Sequence, residues 1–177
     1  MGHIFLIGMP GSGKTTIGSA LAKKMNLAAI DLDYEIEKHE GVSISSIFKN
    51  KGEAYFRDLE AEVLREVIKL SVPHIISTGG GAPCFHDNLA KILDSGTSIY
   101  LSLKPETLYR RHEKKAQNRP LLRGLEGEAL YKELLSKLKK RGPFYERAKI
   151  IIQCDDKNIP EITQEVYERL LKEQAKS

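Results

Sequence analysis

Gly8-Met9-Pro10-Gly11-Ser12-Gly13-Lys14-Thr15 fits GxxxxGK[ST] in full, directly after the apolar run Ile4 to Ile7 and before the helical spacing Ile17, Ala20, Leu21, Met25. Strand, glycine loop and helix in that order are the context this spacing requires to hold phosphate. The glycines let the backbone turn its N–H groups toward phosphate oxygens with no Cβ in the way, and the helix beginning near Gly13 adds the positive end of its dipole. Gly11, Ser12, Gly13, Lys14, Thr15 and Thr16 are therefore expected to bind ATP. Lys14 reaches the β- and γ-phosphates and the Thr15 hydroxyl ligates Mg2+. Thr16 either adds an α-phosphate contact or only caps the helix.

Outward from the loop, Ile4 to Gly8, Ala28 to Asp31, His74 to Ser77, Ser98 to Leu103 and Lys149 to Gln153 read as buried strands, with helical spacing between them such as Leu59, Val63, Leu64, Val67 and Ile68. The pattern predicts a three-layer α/β fold, a P-loop NTPase with a five-stranded parallel sheet and helices on both faces. The 177 residues, 41% hydrophobic and 29% charged, form one domain, 1–177. Two stretches exceed a minimal crossover: about 33–61, expected to bind the second substrate, and about 112–126, expected to be a lid.

Composition narrows the function. Residues 104–149 hold 14 Lys and Arg against 6 Glu, a net +8, while the remainder holds 14 against 18, a net −4. The charge is not interleaved with aromatics as an RNA-binding surface would be, so a phosphate-rich small ligand explains the arginines better than nucleic acid does. Cys84 and Cys154 have no metal-ligand spacing and read as free thiols in a reducing cytoplasm. The histidines form no ligand set. The apolar run at Ile4 to Ile7 is too short for a signal core or membrane span, so a cytoplasmic monomer without membrane partners is expected.

The loop alone does not separate an ATPase, a GTPase switch and a kinase. No NKxD element is present: Asn50-Lys51 is followed by Gly52-Glu53. Asp31-Leu32-Asp33 closes the second strand, where a period of two aims both carboxylates to one side. Asp31 suits Mg2+ through water, or a simple helix cap. Asp33 suits the hydroxyl that attacks the γ-phosphorus. Arg57 and Glu60 share a helix face, which by itself is an ordinary surface ion pair. Arg119, flanked by proline, is placed to meet a transferring phosphoryl group. Arg141 is either a ligand cation or a helix C-terminal charge. Gly79-Gly80-Gly81 permits close approach to a ligand, or is a flexible turn.

Taken together and in this order, GMPGSGKTT, Asp31-x-Asp33, GEAYFR ending in Arg57, Gly79-Gly80-Gly81, Arg119-Pro-Leu-Leu and Arg141-x-Pro-x-Tyr145 resemble shikimate kinase over nearly the whole chain. The resemblance implies transfer of the γ-phosphoryl group of ATP to the 3-hydroxyl of shikimate, giving ADP and 3-phosphoshikimate, in chorismate and aromatic amino-acid biosynthesis. It implies that Asp33, Arg57, Gly79, Gly80, Gly81 and Arg141 bind shikimate, both arginines gripping the carboxylate, with Phe48 and Phe56 near its ring. It further implies that Lys14, Asp33 and Arg119 carry the chemistry, and that Arg111 and the Lys157 to Pro160 loop lie near the adenine. Two rivals stand beside it: another small P-loop kinase acting on gluconate or a nucleoside monophosphate, and a noncatalytic nucleotide- or nucleic-acid-binding module.

Overall fold

A computed structural model describes residues 2–116 and 127–175. Five strands, β1 (His3–Ile7), β2 (Ala28–Asp31), β3 (His74–Ser77), β4 (Gly96–Ser102) and β5 (Ile150–Gln153), pair in the order β2-β3-β1-β4-β5. Every pairing is parallel. β1 is buried along its whole length, as the near-continuous apolar run HIFLI requires of a strand covered on both faces. β2 and β3 have the bounds expected from sequence, whereas β1, β4 and β5 differ by one or two residues at their ends.

The helices are α1 (Lys14–Met25), α2 (Leu32–Glu40), α3 (Ile44–Ile68), α4 (Asn88–Ser95), α5 (Pro105–Ala116), α6 (Gly127–Tyr145) and α7 (Ile159–Gln174). α1 packs on β1, β2, β3 and α7; α4 packs on β4 and α3. The core joins β1 residues Ile4 to Ile7 with Ile17 and Leu21 of α1, Leu64 of α3, Ile75 and Ile76 of β3, and Ile99 of β4, all at most 1% exposed.

Two local features shape the site. Asp31 caps α2, its carboxylate accepting from Asp33 N at 3.0 Å and Tyr34 N at 3.4 Å, so the second strand ends at Asp31. Asp33 therefore stands in the first turn of a helix, not on the strand; the period-two argument for two carboxylates on one strand face is corrected. Within α3, Gly52 has φ 82 and ψ 173, which breaks the helix before Glu53 and lets the chain turn where a Cβ would be strained. The residues after the kink carry Arg57 and Glu60 on one helix face, as their spacing predicts.

Candidate active site

Parallel strands bring their C-terminal ends to one edge of the sheet, and the loops after β1, β2 and β3 meet there. A cleft of about 650 Å3 opens between them. Its phosphate side is Pro10, Gly11, Gly13, Lys14, Thr15 and Thr16; its far side is Asp31, Asp33, Thr78 and Gly80, with Tyr34, Glu37 and Ile44 on the wall.

The loop is held open by three glycines at positive φ: Gly8 at 142°, Gly11 at 83° and Gly13 at 100°. Lys14 is 8% exposed, and its Nζ donates to Gly8 O and Met9 O at 3.0 Å each. The ammonium is thereby placed inside the turn that the glycines create. Ser12 is buried beneath the loop and does not line the cleft. Thr15 Oγ1 donates to Asp31 Oδ2 at 2.6 Å. Asp31 thus caps α2 with one oxygen, the helix-cap reading of that residue, and receives Thr15 on the other.

Asp33 is open to solvent at the cleft floor, yet protein surrounds it on most sides. That crowding, together with the neighbouring Asp31 charge, raises its carboxyl above the ordinary aspartate range; Lys14 and Arg57 oppose the shift without cancelling it. Glu60 is 1% exposed, and burial raises its carboxyl although Arg57 Nη1 donates to Oε2 at 2.7 Å. The Arg57–Glu60 contact is therefore a buried ion pair, not the surface one its spacing alone suggests. Arg57 also donates to Glu53 Oε1 from Nε at 3.2 Å and Nη2 at 3.1 Å, and its guanidinium lies 4.1 Å from the Phe85 ring centroid and 4.9 Å from that of Phe56.

Gly79, Gly80 and Gly81 are required by close approach. A Cβ on Gly79 would lie 2.7 Å from Glu60 Oε1 and 2.8 Å from Asp33 Oδ1; on Gly80, 2.5 Å from Pro10 Cδ; on Gly81, 2.7 Å from Arg57 Nη1. The turn is packed from three directions, and a merely flexible connection is excluded. Tyr145, fully buried at the end of α6, donates its hydroxyl to Gly80 O, and burial holds that phenol well above the usual tyrosine range. Arg141, one turn earlier on α6, is close enough to Glu60, Cys84 and Tyr145 to act on the ionisation of each. Both expected carboxylate-gripping arginines thus converge on Glu60.

Other expectations separate from the cleft. Arg111 Nη1 donates to Ser12 O at 3.1 Å and Gly11 O at 3.4 Å, against the phosphate loop. Lys157 pairs with Glu165 at 2.6 Å and does not line the cleft. Phe56 is core, 4% exposed, with the half-exposed Phe48 stacked on it at 4.6 Å. Arg119 and most of the expected lid, about 112–126, lie outside the described residues. Tyr34, Glu37, Ile44, Thr78 and Phe85 were not singled out from the sequence. Glu37 stands four residues after Asp33 and three after Tyr34, a helical spacing that reading α2 from Leu32 would have exposed.

Comparison with known proteins agrees with this geometry. The shikimate kinase family profile matches residues 10–171. A shikimate kinase of Bacteroides thetaiotaomicron is 42% identical over 156 residues, covering 88% of this chain and 89% of the relative. A crystal structure of shikimate kinase from that organism superposes with a TM-score of 0.89 at 40% identity, over 95% of this chain and 97% of the other. A shikimate kinase from Acinetobacter baumannii, solved in complex with shikimate, gives a TM-score of 0.87 at 32% identity, over 98% and 94% of the two chains.

Proposed function

The chain belongs to the shikimate kinase family, and on that premise we propose that its cleft transfers the γ-phosphoryl group of ATP to the 3-hydroxyl of shikimate, giving 3-phosphoshikimate and ADP. The observation that carries the reading is the placement of Asp33: it lines the cleft with Lys14 and Thr15 of the phosphate loop, and its Oδ1 would lie 2.8 Å from a Cβ on Gly79, alongside Glu60, the buried partner of Arg57. An acceptor held there by its carboxylate presents a hydroxyl to Asp33 and, beyond it, to the phosphate.

Arg57 and Arg141 supply planar donor forks suited to the carboxylate of shikimate. Two carboxylates and two aromatic rings fix the Arg57 fork before any ligand arrives, which lowers the ordering entropy lost on binding. Gly79, Gly80 and Gly81 form the adjoining wall. Asp33 accepts the hydrogen bond of the attacking hydroxyl, and its raised proton affinity makes it the stronger base. Lys14 and the loop amides stabilise charge on the transferring group, with Arg119 assigned the same task from sequence. No covalent enzyme intermediate is required. Arg111 and Lys157 are assigned to the adenine end, about 33–61 to the acceptor region and about 112–126 to the lid.

The donor set of Thr15 hydroxyl and Asp31 carboxylate, 2.6 Å apart, is all oxygen and suits Mg2+. Held by those two residues, the ion would neutralise phosphate charge. The enzyme is proposed to act as a monomer. Among the described residues no helix is long and apolar enough to cross a membrane; the two free thiols support action in a reducing cytoplasm.

The test is an ADP-release assay offering shikimate, gluconate, AMP and CMP in turn. Turnover with shikimate alone is expected; turnover only with another acceptor assigns the cleft to a different small-molecule kinase, and binding of nucleic acid without product assigns it to a noncatalytic module.

A further inference from the structure

The end of α5 lies against the phosphate loop and delivers two side chains to three successive loop carbonyls. His112 Nε2 is 2.9 Å from Pro10 O, 102 positions away in sequence, and Arg111 Nη1 reaches Ser12 O at 3.1 Å and Gly11 O at 3.4 Å. A carbonyl only accepts, so His112 carries its proton on Nε2. Its other nitrogen, Nδ1, is buried without a hydrogen-bond partner among the described residues. The ring is 8% exposed and flush with the loop: a Cβ on Gly11 would lie 2.9 Å from Nε2.

A trans peptide is planar, with its C=O and N–H directed oppositely. Holding Pro10 O toward α5 turns Gly11 N–H away from α5, and holding Ser12 O does the same for Gly13 N–H. Gly11 and Gly13 both line the cleft. The intervening amide is already used, Ser12 N donating to Met9 O at 3.1 Å. Glycine tolerates either orientation of its flanking peptides, so the loop sequence alone does not choose which way these planes face. The choice is made from α5.

We propose that His112 is a positioning residue for the phosphate loop: its Nε2–H, acting with Arg111, fixes the peptide planes that aim Gly11 and Gly13 N–H at the phosphates of ATP. The assignment rests on reading the cleft as the nucleotide site. The GxxxxGK[ST] spacing contains no trace of it, because the donor comes from a different helix.

His112→Phe keeps a ring and removes the donor, whereas His112→Gln returns an N–H close to the Nε2 position. The Phe variant is expected to raise both KM for ATP and Kd for ADP by about three- to tenfold, the range of one lost hydrogen bond, while KM for shikimate stays within about twofold; the Gln variant restores most of the loss. Imidazole 15N spectra of the wild-type chain, with the His112 signal identified by its absence in the Gln variant, are expected to show a proton on Nε2. Unchanged ADP affinity in the Phe variant, equal losses for both substrates, or a bare Nε2 overturns the proposal. If the Phe variant does not fold, the Gln variant and the wild-type tautomer decide. A wild type that binds ADP but leaves shikimate unphosphorylated removes the reaction assignment and leaves this one to be judged on ADP affinity.

Discussion

Arg57 Nη1 lies 2.7 Å from Glu60 Oε2, one turn further along α3, and that carboxylate is 1% exposed. Arg57→Ala therefore removes the proposed substrate fork and strands a buried charge at once. KM for shikimate is expected to rise roughly 30-fold or more, with KM for ATP changed far less, and stability to fall by about 3–5 kcal/mol. The double variant Arg57→Ala/Glu60→Gln separates the two effects: denaturant melts should recover much of the stability, while steady-state kinetics should show shikimate binding still impaired.

Asp33→Asn is expected to lower kcat by roughly 100-fold to 10,000-fold, the range for losing a positioned acid–base group, with smaller effects on either KM. Retained turnover would remove Asp33 from the chemistry.

The same variant carries a pH signature. Asp33's carboxyl is raised in the fold by the protein crowded around it and by Asp31, above the usual value near 3.8. Its contribution to stability is complete below that value and is lost as pH rises through the folded one. The melting temperature of Asp33→Asn relative to wild type should therefore move in the variant's favour as pH rises from the acid range toward neutrality. A gap that is flat or moves the other way contradicts the raised carboxyl.

Gly81→Ala and Gly80→Ala should fail differently. The new Cβ at 81 meets the Arg57 guanidinium at 2.7 Å and pushes the fork off its carboxylates, so KM for shikimate rises about tenfold or more and part of the stability of the Glu60 pair is lost, while KM for ATP changes little. At 80 it meets Pro10 Cδ at 2.5 Å and Pro10 N at 3.0 Å, a ring and backbone that cannot step aside. Gly80→Ala is expected to cost about 1–3 kcal/mol of stability and to weaken ATP as well as shikimate. Calorimetry with kinetics on both variants distinguishes the two.

Tyr145→Phe keeps the buried ring and deletes only the hydroxyl that reaches Gly80 O. A loss of about 1–3 kcal/mol is expected from the orphaned carbonyl, read as a lower denaturation midpoint with an unchanged m-value.

The sheet was legible in the sequence because strands buried on both faces leave uninterrupted apolar runs, and the loop because its spacing is dictated by phosphate. Asp33 was placed on the wrong element: strand periodicity was carried past Asp31, where a carboxylate cap had already started α2. Glu60 announced a partner three residues away but not its burial, since a charged residue in an amphipathic helix reads as surface until the opposing walls are known. His112 gave no sign, because its contact with Pro10 depends on how α5 returns across the sheet. Arg119 was legible as motif, and its position lies outside the described residues.

The turn at Gly79 to Gly81 abuts Pro10, Arg57, Asp33 and Glu60 simultaneously. Drift at any of these positions is therefore constrained by the others: a bulkier residue in the turn is tolerable only after a neighbour has already shrunk or shifted. Adaptation of this pocket to a new acid would have to proceed by paired substitutions in a particular order, with most single-step routes closed.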